Sequence, residues 1–389
     1  MHKKTNHIAA AALAACLTAA LAASAAPQGA SAAKAGAAAV QVTLNEIPAE
    51  LKHAPLLENG SVLLPLREVG ALLGTRTTWM AEGKRIVVVL PTAHIEMKLG
   101  SREATVNGKP YRMPAAPKNV SGTVFVPVRF VSEALGANVA WTAKDRRVDL
   151  TVDSSYLFGE KGDSAYWVSR ATGEVYVSKR NEPAKLVSGV RIVMKGYGGG
   201  LLIEPLVSGA DLLTVTDSYG EPSLNDAIHR AIVADGACVL TSYVRYWGHH
   251  PIRTIDSTRN GNALLMDGST LIEADAAGAV VARHDLAALT GYEDDAFQVE
   301  WYDDDVMVVR PHRTGWLTAI DRETNEAIRL ADALLPEEQI AVYREMHTND
   351  LEFGNWDGLR VVGREGDRLS LKHWWFLGNA EVDVTYVLQ

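Results

Sequence analysis

Apolar and polar positions alternate in short bursts along most of this chain, and glycine-bearing turns separate the bursts. A period of two puts successive side chains on opposite faces of a strand, so the pattern predicts many short, half-buried strands. Two stretches, 60–90 and 122–152, break the alternation in the same way. An alternating run (Val62 and Leu64; Val124 and Val126) meets a proline, Pro65 or Pro127. Helical spacing follows at Leu66, Val69 and Leu73, and at Val128, Val131 and Leu135. Proline is tolerated near a helix start because the N–H it lacks has no partner there. Gly74 and Gly136 come directly after the last apolar position, where a left-handed residue ends a helix. Each helix is barely two turns and cannot stand alone, so a sheet must hold it. Trp79 and Trp141 lie on the strands that follow and are expected to plug the gap between helix and sheet.

These two stretches are the same phrase at a spacing of 62 residues: Pro65 and Pro127, Arg67 and Arg129, Gly74 and Gly136, Trp79 and Trp141. The correspondence extends upstream to Pro48 and Pro110, and to Ala54-Pro55 and Ala116-Pro117. A tandem repeat over 40–152 follows. Asn107-Gly108 marks a hairpin turn. Arg67 and Arg129 stand at matching helix starts, and the expected use of their guanidinium donors is to satisfy nearby loop carbonyls.

The run Val-Pro-x-Arg, then Leu-Gly-Ala-x-Val-x-Trp, a basic turn and an apolar strand, read over 126–152, resembles the copper amine oxidase N-terminal-like domain, or stalk domain. That family occurs in tandem in exported proteins of Gram-positive, Paenibacillus-like bacteria. The 60–90 copy departs from it at Thr75 and Thr77. The resemblance implies a small antiparallel sheet with short helices, serving as a stalk or spacer. It implies no oxidase chemistry, because the family's name refers to a separate catalytic domain. The Asn-Tyr pair and His-x-His ligands of that domain are absent from this sequence. Copper is therefore not expected.

The remainder, 153–389, reads as all-β. Hairpins are predicted at 166–178 and 201–218, with further strand pairs at 263–286, 306–330 and 368–388. A helix is expected only near 336–346, and 222–232 reads as a loop or short helix. Turns at 172–173, 219–220, 277–278 and 324–325 recur about every 50 residues, a period that suggests propeller blades. About five such units would close a ring; a β-sandwich or an incomplete propeller is the alternative. The overall expectation is an α+β stalk module followed by an all-β, propeller-like domain.

A length of 389 residues favours two domains. The net charge of −9, with no basic run beyond the extreme N-terminus, argues against a nucleic-acid surface. Lys3 and Lys4, the Ala/Leu-rich run 8–23 and the small residues 23–25 form a secretory signal peptide over 1–26. An Ala/Gly/Ser linker, 27–39, follows. The 13–16 stretch also fits a lipoprotein box, which makes lipid anchoring at Cys16 an alternative. No other window is apolar enough for a transmembrane helix. The expected location is secreted or at the cell surface.

Candidate chemistry is sparse. His249-His250 follow Tyr246-Trp247-Gly248 and suggest a ligand or metal contact on a loop. The acidic clusters 293–295 and Asp303, Asp304 and Asp305 flank a strand and offer oxygen ligands for calcium. Aromatic residues suited to stacking on sugar or peptide are Tyr246, Trp247, Trp301, Tyr302 and Trp316, with His249 beside them; core packing is the competing use. Glu204, Glu300 and Asp305 are the acidic residues a glycosidase reading would use. No nucleophile motif is present, Cys238 reads as a buried strand residue, and 198–200 lacks the Lys of a phosphate loop. The leading expectation is a non-enzymatic exported protein whose β domain recognises a cell-wall polymer, carbohydrate or peptide. An extracellular hydrolase acting on carbohydrate or wall polymer is the alternative.

Overall fold

Strand Ser61–Pro65 runs directly into helix Leu66–Leu72, and strand Thr123–Pro127 into helix Val128–Ala134. The computed structural model describes residues 40–153, 155–196, 198–221, 224–248, 251–345, 356–375 and 377–388. The expected signal peptide and linker, Cys16 and His249-His250 lie outside the described residues. Neither helix has a side-chain N-cap, so each depends on its buried stripe: Leu66, Val69 and Leu73, or Val128, Val131 and Leu135. Gly74 (φ +62) and Gly136 (φ +82) then turn the chain through the left-handed region. Both helix ends are therefore fixed by backbone chemistry legible in the sequence.

The two strand–helix units meet in one sheet, ordered Lys118–Val120, Thr123–Pro127, Ser61–Pro65, Leu56–Glu58. Leu64 pairs with Val126 at its centre, and both are fully buried. Two further sheets flank it. Arg76–Met80, Arg85–Leu90, Ala93–Lys98, Glu103–Val106 and Lys109–Arg112 form an antiparallel five-stranded sheet. The other joins Asn138–Thr142 and Arg147–Thr151 to the hairpin Gln41–Leu44 and Ile47–Pro48. Gln41–Leu44 runs parallel to Arg147–Thr151, so the start of the module is stitched to its end. The Asn45 amide completes the stitch, donating to the Val152 carbonyl at 3.0 Å and accepting the Val152 N–H at 2.9 Å.

Two local expectations fail here. Trp79 is half-buried against the core, but Trp141 is 37% exposed, because Asn138–Thr142 is an edge strand with nothing packed over that face. Arg129 also points to solvent, 4.0 Å from Glu133 one turn on, and Arg67 is exposed, so neither satisfies loop carbonyls. Both sit in a first turn, on the side opposite the buried stripe. Thr75, one of the departures from the family pattern, is buried, and its hydroxyl donates to the Gly70 carbonyl at 3.3 Å.

Beyond 153 the chain is a series of antiparallel meanders. Eight strands form one sheet, ordered Tyr156–Lys161, Ser164–Ser169, Glu174–Lys179, Lys185–Arg191, Ala237–Trp247, Asn225–Ala234, Asp211–Tyr219, Gly200–Pro205. Its first and last strands approach so closely that a Cβ on Gly159 would lie 2.8 Å from the Leu201 carbonyl oxygen, which makes the sheet nearly closed and barrel-like. Three smaller sheets follow: Ala263–Asp267 to Val280–Asp285, Phe297–Tyr302 to Ala327–Arg329, and Leu359–Glu365 to Ala380–Val387. Helix Glu337–Glu345 lies where a helix was expected, and short helices Leu286–Thr290 and Leu330–Leu334 were not anticipated. The 222–232 expectation gives way to strand Asn225–Ala234. Helical spacing there was outweighed by pairing along the whole strand with both neighbours.

The two parts share a core. Trp167 and Ala165, from the eight-stranded sheet, are fully buried in the apolar cluster of the 40–152 module. Trp167 Nε1 donates to the Gly74 carbonyl at 2.9 Å, and its ring lies 5.4 Å from Phe158. Arg76 donates to the Gly162 carbonyl at 3.2 Å, and His94 Nε2 bonds the Asn181 carbonyl at 2.9 Å. The module thus meets the β part through an apolar contact rimmed with hydrogen bonds. Among the described residues no helix is long and apolar enough to cross a membrane.

Candidate functional site

Strand Phe297–Tyr302 turns tightly into Val306–Pro311, and the turn is built by Asp303. Its carboxylate accepts the backbone N–H groups of Asp305 and Val306 at 3.1 and 3.0 Å. It also accepts the Trp301 indole N–H at 2.6 Å and Arg364 Nη1 at 2.6 Å. Arg364 reaches Asp305 with its other nitrogen at 2.7 Å. Burial pushes the Asp303 carboxyl up, but Arg364, the indole and the two amides together hold it below the usual carboxylate range.

The turn forms one wall of a polar cavity of about 230 Å3. Thr258, Arg259 and Asn260 of a second turn also line it, and that turn is closed by Thr258 N–H donating to the Asn262 carbonyl at 2.9 Å. At its tip Arg259 lies over the Trp301 ring, 4.9 Å from the centroid. The floor is a relay. Tyr302 donates its hydroxyl to Glu273 at 2.8 Å, Asn262 donates to the other Glu273 oxygen at 2.7 Å, and His284 Nε2 bonds the Tyr302 oxygen at 3.1 Å. Because the Tyr302 proton is committed to Glu273, His284 acts as the donor. Burial and the Glu273 bond push the Tyr302 phenol up, while burial and then Arg322 push the His284 imidazole down. The guanidinium of Arg322 lies over the Tyr302 ring at 4.2 Å and 3.7 Å from Glu273. Such a cavity presents fixed donors and acceptors around an aromatic edge, which suits a small polar ligand.

The structure thus gathers Trp301, Tyr302, Asp303, Asp304 and Asp305 in one place and adds Arg259, Glu273 and Arg364, which sequence reasoning missed. Those three lie 29 to 62 residues from Tyr302 in number, and no local motif links them. Of the oxygens suggested for calcium, those of Asp303 and Asp305 hold Arg364 and those of Asp295 accept the Arg313 and Thr314 N–H groups at 2.9 and 3.2 Å, while Asp304 is exposed.

The other sequence-predicted residues are dispersed. Tyr246 is buried and donates to the Phe297 carbonyl at 2.8 Å, so it is a core residue out of reach of a ligand. Trp316 is also core, capped by the Arg329 guanidinium at 4.8 Å. Trp247 is 41% exposed on the outward face of Ala237–Trp247. Glu300 is buried and paired with Arg310, Glu204 stands on a strand of a different sheet, and Cys238 is half-buried on its strand.

By architecture the 40–152 module is a small stalk-type α+β domain. The copper amine oxidase N-terminal domain matches residues 43–150, and that part of the chain belongs to this family. A protein called "protease inhibitor" from Brevibacillus choshinensis is 26% identical over 165 residues, covering 42% of this chain and 46% of the relative. The matched stretch is thus about half the length of that curated relative. Among solved structures, hydrazine synthase of Kuenenia stuttgartiensis is similar at 13% identity and TM-score 0.24, over 80% of this chain and 95% of that one. A puromycin-hydrolyzing peptidase of Mycobacterium tuberculosis is similar at 12% identity and TM-score 0.27, over 81% and 48%. At these scores neither lends its chemistry to this chain.

Proposed function

We propose that this is an exported, non-enzymatic recognition protein in which the family module is a rigid base for a β domain that binds a saccharide or peptide at the cell surface. The observation that carries the reading is the polar cavity between the 258–262 and 303–305 turns. Its side chains are fixed by one another, as a binding site requires, and its acidic groups Asp303, Asp305 and Glu273 are bonded to arginine or tyrosine. The signal-peptide reading of 1–26 supports export. The 62-residue spacing of strand, proline, helix and glycine supports an internal duplication of the base. Three successive small sheets, 263–285, 297–329 and 359–387, support a propeller-like reading of that part of the β domain, whereas 156–247 forms one nearly closed sheet.

The test uses the full secreted chain. It is incubated with purified cell-wall material and with saccharide and peptide arrays, and the supernatant is analysed by mass spectrometry for cleavage products. Retention without product release is expected, and retention should weaken in Arg259→Gln and Asp304→Asn. Product release, or no retention on any of these materials, overturns the reading. The name of the Brevibacillus relative supports a second reading in which the bound partner is a protease. Slowed peptide hydrolysis by a secreted serine protease in the presence of this chain would favour it.

A further inference from the structure

The two turns that line the cavity each carry one charged side chain without an ion-pair partner among the described residues, and the two are of opposite sign. Asp304 is exposed at the tip of the 303–305 turn, between two aspartates that Arg364 already clasps. Arg259 is exposed at the tip of the 258–262 turn, held over Trp301 at 4.9 Å. Among the described residues neither has an ion-pair partner, and no ion pair joins them to each other. The remaining charged groups of the wall are engaged: Glu273 bonds Tyr302 and Asn262 and lies near Arg322, and Asp303 and Asp305 share the single guanidinium of Arg364.

We propose that this cavity binds a small zwitterion, a short peptide with both ends free, whose carboxylate meets Arg259 and whose ammonium meets Asp304. The proposal rests on the recognition reading above and names its ligand class. A planar guanidinium pre-set over an indole offers a forked donor pair to a carboxylate at little further entropic cost. Asp304 offers two acceptor oxygens to an ammonium. Thr258 and Asn260 add a hydroxyl and an amide beside Arg259, and these suit the intervening peptide group. A cation alone at Asp304 would leave Arg259 without a partner; an anion alone at Arg259 would face Asp304 beside two further carboxylates. A cavity of about 230 Å3 has room for a ligand of dipeptide size.

The test is a titration of the full secreted chain with alanyl-alanine, followed by calorimetry and by the Trp301 indole N–H resonance, which reports directly on the Asp303 turn. Parallel titrations use N-acetyl-alanyl-alanine, alanyl-alanine amide, the doubly blocked peptide and an N-acetylglucosamine disaccharide. The free dipeptide is expected to shift the Trp301 resonance. Acetylation should weaken binding at least tenfold in the native chain but little in Asp304→Asn. Amidation should do the same in the native chain but little in Arg259→Gln. Both substitutions are at exposed turn tips, and an unchanged melting temperature verifies folding. Equal affinity for free and doubly blocked peptide overturns the zwitterion assignment. So does disaccharide binding at Trp301 that is indifferent to both substitutions, though recognition at this cavity then stands. No Trp301 shift with any of these ligands at millimolar concentration, together with no retention on wall material, overturns both.

Discussion

Replacing Arg310 by methionine is expected to cost about 4–5 kcal/mol of stability, for reasons the structure makes explicit. Arg310 has no exposed surface in its side chain, yet it carries a full charge. Its Nε donates to Glu300 at 2.7 Å, its Nη1 to Asp357 at 2.8 Å, and the same group also bonds the carbonyls of Gly315 and Leu359. The Trp356 ring lies 4.8 Å from the guanidinium. Burial pushes the guanidinium down, but Asp357 and Glu300 more than offset it, so Arg310 stays charged. Methionine fills similar volume but leaves two buried carboxylates with no cation. Breaking a single buried pair in this way costs about 3–5 kcal/mol. A second carboxylate puts the loss near the top of that range, moderated because Asp357 keeps the Leu317 and Leu359 amides and Glu300 keeps Val361. At about 2–4 °C per kcal/mol, the melting temperature should fall by roughly 8–20 °C. Urea unfolding and calorimetry on the full chain read this directly. The triple variant Glu300→Gln, Arg310→Met, Asp357→Asn should recover more than half the loss, because no bare charge remains. A loss below about 1 kcal/mol for Arg310→Met would refute the argument. So would a triple variant no more stable than the single one, since shape and not charge would then be at fault.

Three further outcomes are expected. Trp167→Ala removes a fully buried indole and its bond to Gly74, and should cost about 3–5 kcal/mol while lowering one common unfolding transition for base and β domain; two well-separated transitions in the native chain would contradict the shared core. Gly136→Val places a β-branched residue at φ +82 with no atom within 4 Å of the new Cβ, so the cost is backbone strain of about 1–2 kcal/mol, read in urea unfolding; an unchanged midpoint would sink the cap assignment. His229, His284 and His373 are held neutral chiefly by burial, so the unfolded chain binds more protons than the folded one below their unfolded pKa of about 6.5. Stability is full above that pH and falls as pH drops from about 6.5 toward 5, and His284→Gln should flatten the slope; Asp295, whose carboxyl burial pushes up, acts in the opposite sense nearer the acid range.

What could be read from the sequence was what one turn of backbone decides. Proline before a helix, glycine after it, and alternation along a strand are local, and the two strand–proline–helix units and most hairpins of the β part lie where such signals put them. Trp141 and Arg129 were misjudged because exposure depends on what packs over a residue. Nothing in 138–142 says that its strand lies at a sheet edge. Strand Asn225–Ala234 was missed because Ala227, Ile228 and Ala231 satisfy helical and strand periods alike, and only its two long partners decide between them.

The candidate site divides along the same line. Trp301 to Asp305 are contiguous, and an aromatic pair followed by three aspartates at a hairpin end is visible in the chain. Reading the sequence counts the carboxylates of that stretch without the arginines that fold onto them. Arg364 is 61 residues from Asp303, and Arg322 is 49 residues from Glu273. Once these pairs are drawn, Asp303 and Asp305 share one guanidinium, and Asp304 and Arg259 are the two charged side chains of the cavity left without an ion-pair partner among the described residues. The chemistry of such a surface is set by the charges left over after pairing. That remainder belongs to the fold, since it depends on which turns the meanders bring together.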